Sequence, residues 1–255
     1  MSSSDARNRF SDRVEDYRKY RPDYPKAAID FIRDTCGATA DWSVADIGSG
    51  TGISTQALIR SFHCPVFAVE PNLRMREEAE RVLGDNPLFR PVNGSSDETT
   101  LDRSSVNLVA AFQAFHWFDV GKTRAEWRRI LRTPPWVVVV WNDRKTKGSE
   151  FLEGYEGFLQ TLPEYRRVDH KNLTINDIHR FFGNEKVIEE QFPNSQRFDL
   201  EGFLGRSFSS SYVAGRGSPE YAGQRARLED LFEKTNSRGI VEFLYDTRVY
   251  LGTLS

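Results

Sequence analysis

Three glycines at alternate positions, Gly48, Gly50 and Gly52, follow the short run Val44-Ala45-Asp46-Ile47. Inside a helix or a strand each would cost about 0.5–1 kcal/mol relative to alanine, so the alternation marks a sharp turn that something approaches closely. A strand, a glycine-rich turn and a helix N-terminus together gather free N–H groups and a positive dipole end. The dinucleotide pattern that holds a pyrophosphate is GxGxxG, and here the third glycine arrives one residue early. Asp46 stands two residues before the first glycine. Its carboxylate would repel a pyrophosphate and attract an ammonium group, so the expected ligand is cationic at that end.

The elements that must position this turn can be read from periodicity. Residues 5–20 carry Phe10, Val14 and Tyr17 at helical spacing and stop near Arg21-Pro22. Pro25 opens a second helix over 26–36. Strands are predicted at 43–47, 65–70, 88–92, 105–111 and 136–141, with helices at 53–62, 73–83 and 122–132 between them. The run Trp136–Trp141 (WVVVVW) is apolar throughout, as a strand covered on both faces requires. After Asn142 the pattern loosens. Residues 151–183 read as mostly helical, 186–192 as a strand, 200–204 and 221–234 as helices, and 240–251 as a closing strand.

The expected fold is therefore α/β, a doubly wound, seven-stranded, mostly parallel Rossmann-like sheet. An N-terminal lid (1–25), a binding core (26–142) and helical insertions with the last strands (143–255) divide the chain. Composition narrows the function classes. Thirty-five Lys and Arg against 37 Asp and Glu give a formal charge of −2, without a long block of one sign. That balance argues against nucleic acid or an anionic membrane as partner. Cys36 and Cys64 make no disulfide framework and no metal spacing, so buried free thiols and no metal are expected. The N-terminal residues lack the apolar core of a signal peptide, and a cytoplasmic protein, monomer or homodimer, is expected.

The stretch VADIGSGTGISTQAL resembles the first motif of class I S-adenosylmethionine-dependent methyltransferases. The resemblance implies S-adenosyl-L-methionine as cofactor, with Asp46, Gly48, Ser49, Gly50, Thr51 and Gly52 around it. In that family an acid at the end of the second strand takes both ribose hydroxyls. Glu70, followed by Pro71, stands there, 22 residues after Gly48, and a carboxylate has the acceptor capacity for the task. The segment Asn93-Gly94-Ser95-Ser96-Asp97 is similar to the family's adenine element, implying roles for Ser96 and Asp97. Where the family has an acid in the fourth strand, this chain has Asn107, a position that supports the strand end.

Two further stretches are similar to the trans-aconitate methyltransferase-like, small-molecule branch. FQAFHWFD (112–119) follows the fourth strand and would border the site, with Gln113 near the cofactor and His116 and Trp117 toward the acceptor. His116 has a reference pKa suited to a general base, although shaping the site beneath the lid is the plainer role. YRKYRPDYP (17–25) resembles that branch's N-terminal lid, which places Tyr20 and Arg21 against the cofactor and Tyr17 and Tyr24 against the acceptor, with a structural hairpin packed on the core as the alternative. RSFSSSY (206–212) is similar to another element of the branch. Arg206 and Asn142 complete the expected acceptor-binding set, with a surface loop the plainer reading for 206–212.

Methyl transfer from a sulfonium needs alignment and water exclusion more than a catalytic dyad. No catalytic residue is therefore assigned beyond the candidate His116. The expected reaction is methylation of a small-molecule acceptor, a carboxylate among the candidates. A non-catalytic S-adenosylmethionine-binding module and an NAD-dependent oxidoreductase stay open as alternatives.

Overall fold

The computed structural model describes residues 14–167, 175–183 and 186–254. Seven strands form one sheet: β1 (Val44–Ile47), β2 (Val66–Val69), β3 (Phe89–Val92), β4 (Val106–Phe112), β5 (Leu131–Arg144), β6 (Ile188–Phe198) and β7 (Val241–Thr253), in the order β3-β2-β1-β4-β5-β7-β6. The first five strands are parallel, and β7 pairs antiparallel with both β5 and β6. The order reverses between β1 and β4, which opens a crevice beyond the carboxyl ends of those strands.

Helices cover both faces. α1 (Val14–Tyr20), in the segment expected as a lid, is followed by α2 (Lys26–Cys36), α3 (Ile53–Phe62), α4 (Leu73–Leu83) and α5 (Val120–Ile130). Alternation along the strands sends Val138 and Val140 to the face under α2 and α3, and Val137 and Val139 to the face under α5. All four valines are fully buried, which is why the WVVVVW run shows no polar alternation.

α6 (Glu150–Gln160) and α7 (Pro163–Arg167), between β5 and β6, and α9 (Leu200–Phe208) and α10 (Tyr221–Thr235), between β6 and β7, build a cap beyond the carboxyl end of β5, while α8 (Ile175–Phe182), also between β5 and β6, packs Phe181 and Phe182 onto the α5 face of the sheet. The cap has its own apolar cluster, in which Phe151, Tyr155 and Phe203 pack on Phe243 and Tyr245 of β7.

Several boundaries differ from the sequence reading, each for a physical reason. β5 begins at Leu131, not at 136. Pro134 and Pro135 fall where the register jumps from Leu131 opposite Val106 to Trp136 opposite Leu108, and a bulge tolerates the missing N–H donors. β6 runs through Pro193 to Phe198 because it is an edge strand. α9 continues to Phe208, so Arg206 lies on a helix and not in a surface loop. The predicted helix residues 5–13 lie outside the described residues.

Cys36 and Cys64 are buried free thiols. Asn107 accepts from the Ser43 N–H at 3.0 Å and ties the starts of β1 and β4 together, as a strand-end support should.

Candidate active site

β1 delivers the chain into the glycine turn. Gly48, Gly50 and Gly52 all adopt positive φ (72°, 55° and 82°), the left-handed region that glycine enters without strain. Gly48 and Gly52 are also packed tightly: a Cβ would lie 2.7 Å from Ala114 and 2.8 Å from Leu83, respectively. Gly50 differs, because a Cβ there would meet nothing within 4 Å. Space lies open in front of that residue.

Glu70, immediately after β2, is buried. Its two carboxylate oxygens accept from the Gly50 N–H at 2.9 Å and the Asn72 N–H at 2.8 Å. It thereby fixes the glycine turn against the start of α4.

Asp46 is fully buried, and its Oδ2 accepts from the hydroxyls of Ser54 (2.7 Å) and Thr55 (2.6 Å) in the first turn of α3. Burial pushes its carboxyl up to about 6; the two hydroxyls oppose that rise and nearby Glu70 adds to it. Ser54 and Thr55 were not singled out from the sequence, although their place one helix turn beyond the glycines was visible.

Unmatched polar atoms collect at this turn. Among the described residues, four of the eight buried side-chain polar atoms without a partner are Asp46 Oδ1, Ser49 Oγ, Thr51 Oγ1 and Arg21 Nε. Buried polar groups are normally hydrogen-bonded, so such a concentration marks a place shaped for something polar.

The lid reaches the same turn. Arg18, which the sequence reading passed over, donates to the Thr51 carbonyl and to Gln56 Oε1. The Arg21 guanidinium lies 4.7 Å from the centre of the Tyr17 ring, and Tyr24 packs edge-on against Phe112 at 4.6 Å. Burial, then neighbouring Tyr17 and Asp46, push the Tyr24 phenol well above its usual range. Tyr20 is buried against Gly205 of α9, and its carbonyl accepts from Gln196.

Asn142 is a latch. Its Nδ2 donates to the Asp23 carbonyl at 3.3 Å, its Oδ1 accepts from Thr247 and Asn194, and its N–H donates to Gln113 Oε1 at 2.7 Å. Gln113 has positive φ and its side chain lies along β5. His116 and Trp117 are exposed at the rim, with their rings 4.7 Å apart. Ser96 is buried and accepts from Thr123, whereas Asp97 is exposed and accepts from Ser95. Arg206 lies within the cap, away from the surface. A separate groove of about 840 Å³, lined by Phe151, Arg197, Arg238 and Val241 among others, contains none of the predicted site residues.

Comparison with known proteins places this arrangement. The methyltransferase-domain family matches residues 45–139, which span β1 to β5. A Dictyostelium discoideum protein named as a methyltransferase is 30% identical over 218 residues, covering 81% of this chain and 78% of its own. The chain belongs to the class I S-adenosylmethionine-dependent methyltransferases. The dinucleotide oxidoreductase alternative falls with that assignment.

An uncharacterised methyltransferase of Schizosaccharomyces pombe shares 25% identity over 69% of this methyltransferase and 77% of its own length. The fold agrees with that of a protein described as a type II methyltransferase from Anaeromyxobacter dehalogenans (TM-score 0.67, 22% identity, 92% and 98% covered). It also agrees with geranyl diphosphate C-methyltransferase from Streptomyces coelicolor, whose crystal contains S-adenosyl-L-homocysteine (TM-score 0.51, 16% identity, 90% and 76% covered).

Proposed function

We propose that the enzyme methylates a small-molecule acceptor in the space between the glycine turn, the lid and the cap. The observation that carries this reading is the open turn at Gly50, bridged by Glu70 and ringed by unmatched buried polar atoms. Bound S-adenosylmethionine supplies a methyl group already activated on a sulfonium, which an acceptor oxygen, nitrogen or carbon displaces directly.

The residues present suit that nucleoside. Glu70 would take the ribose hydroxyls, and the turn residues Gly48 to Gly52, with the hydroxyls of Ser49 and Thr51, would surround the amino-acid end. Asp46 Oδ1 would accept from the ammonium and Arg21 would pair with the carboxylate. Gln113 and Tyr20 would close the same end. Ser96, Asp97 and Pro71 would border the adenine. Tyr17, Tyr24, His116 and Trp117 would line the acceptor side, where aromatic faces exclude water and favour a cation. Asn142 would act by holding the lid and Arg206 by binding the acceptor.

A small acceptor, as in the trans-aconitate methyltransferase-like branch, is supported by the lid itself. Residues of α1 and the following turn are latched to the glycine turn, to β5 and to β6. An acceptor enclosed beneath such a latch is limited in size, and the net charge of −2 offers no attraction to a polyanion. A carboxylate acceptor needs no base at neutral pH, which leaves His116 a shaping role.

Calorimetry with S-adenosylhomocysteine and with NAD tests the cofactor, with saturable binding of the first and none of the second expected. Turnover of labelled S-adenosylmethionine against small carboxylates, phenols and amines tests the acceptor. Methylation of tRNA in preference to every small acceptor would overturn the reading.

A further inference from the structure

Asn142, near the carboxyl end of β5, is engaged through both its backbone and its side chain. The backbone pairs with the side-chain amide of Gln113, whose Oε1 accepts from the Asn142 N–H at 2.7 Å and whose Nε2 donates to the Asn142 carbonyl at 3.4 Å. Gln113 follows β4 directly and adopts a φ of 57°, a left-handed conformation unfavourable for a residue with a side chain. Its amide continues the ladder past the last backbone pair, Phe112 with Val140.

The Asn142 side chain is only 6% exposed and gathers three other segments. Oδ1 accepts from the hydroxyl of Thr247 in β7 and from Nδ2 of Asn194 in β6 at 3.2 Å. Nδ2 donates to the Asp23 carbonyl at 3.3 Å, and Asn194 Nδ2 donates to the same carbonyl at 2.8 Å. Sheet register explains the meeting. Asn142 stands opposite Thr247, and Asn194 stands opposite Tyr245, two residues away, so the three polar side chains share one face. That face carries α2, the helix into which the lid leads.

The turn after α1 is tied down by its carbonyls. Pro22 and Pro25 have no N–H, and Asp23 Oδ1 takes the Tyr24 N–H at 2.8 Å. The Tyr20 carbonyl goes to Gln196, and the Asp23 carbonyl to the pair of Asn142 and Asn194. At the other end Arg18 donates to the Thr51 carbonyl of the glycine turn. The lid therefore runs from the glycine turn to β6, and opening it means breaking one of these rows of ties.

We propose that Asn194 and Thr247 are positioning residues that act through Asn142 on the lid, so that this amide cluster sets the rate at which S-adenosylmethionine enters and S-adenosylhomocysteine leaves. Neither residue was singled out from the sequence. Thr247 fixes the Asn142 amide with its oxygen toward β7 and its nitrogen toward the lid. Asn194 supplies the second donor, which fills both lone pairs of the Asp23 carbonyl. A lid that opens for passage admits and releases ligand in proportion to its open population. Weakening the cluster thus speeds both directions and leaves the affinity almost unchanged. Losing a direct contact with the cofactor would act differently, lowering the affinity through faster dissociation.

This inference rests on the cofactor placement proposed above, and the experiment separates the two. S-adenosylhomocysteine association and dissociation are followed on the full chain by stopped-flow tryptophan fluorescence, and affinity by calorimetry. Asn194→Ala and Thr247→Val should each raise both rate constants by about three- to tenfold, with the dissociation constant unchanged within about twofold. Thr247→Ser, which keeps the hydroxyl, should restore the wild-type rates. Trypsin cleavage after Lys19 reports lid opening without any ligand and should accelerate over the same range. Asn194 is only half-buried, so Asn194→Ala decides the matter if Thr247→Val fails to fold.

Faster cleavage with unaltered exchange would reduce the cluster to a structural clasp and overturn the gate. An affinity loss carried by dissociation alone would make these residues cofactor contacts and overturn it equally. Wild-type rates of both exchange and cleavage in the variants overturn it too. Absence of S-adenosylhomocysteine binding to the wild type overturns the cofactor placement and the gate with it.

Discussion

Glu70 accepts from two backbone amides in different loops, so it is a strut as well as the proposed ribose-binding group. Glu70→Gln keeps the shape but removes the charge. S-adenosylhomocysteine affinity should fall about tenfold or more by calorimetry, and unchanged affinity would remove ribose binding from its role. Asp46 makes a complementary prediction. Its carboxyl is raised from 3.8 to about 6, chiefly by burial. For an acid raised in this way the stabilising contribution is complete below its unfolded value and is lost as pH rises through the folded one. Asp46→Asn should therefore match the ligand-free wild type near pH 4 and exceed it by about 3 kcal/mol above pH 7, while binding S-adenosylhomocysteine more weakly. Denaturant unfolding across that pH range checks the sign, and a difference independent of pH would contradict it.

Between elements, the decisive contact is that of the lid with the cap. Tyr20 of α1 lies so close to Gly205 of α9 that a Cβ at 205 would sit 2.2 Å from its ring. The ring is buried and cannot swing aside. Gly205→Ala should destabilise the protein by about 2 kcal/mol through overpacking and expose the lid to protease, with the parallel sheet still folded. Thermal unfolding and cleavage near residues 14–25 are the measurements. An unaltered midpoint with an intact lid would show that α1 is not held there. Because Gln196 and Asn194 of β6 hold the carbonyls of Tyr20 and Asp23, lid position is coupled to the antiparallel edge of the sheet as well as to the glycine turn.

Across the whole molecule, β7 joins what the insertions could have separated. Phe243 and Tyr245 belong to the cap cluster, Val249 and Leu251 to the cluster on one face of the sheet, and Tyr250 and Leu254 to that on the other. One strand passing through three apolar clusters predicts a single cooperative transition, with far- and near-ultraviolet dichroism coincident during thermal unfolding. Two resolved transitions would mean that the cap folds apart. S-adenosylhomocysteine at about 100 times its dissociation constant should add about 2.7 kcal/mol, raising the midpoint by about 5–10 °C.

The parallel half of the fold and the glycine turn were legible in the sequence because their causes are local. Continuous apolar strands announce burial on both faces, and Gly48, Gly50 and Gly52 announce positive φ. Strand order, the Asn142 latch, the tie from Arg18 to Thr51 and the burial of Arg206 were decided only by tertiary structure. Asp23 and Asn194 are 171 residues apart, and no periodicity within either segment encodes their meeting. An arginine in a polar Ser-rich stretch has the composition of a surface loop. Only the closing of α6, α9 and β7 around it removes it from water.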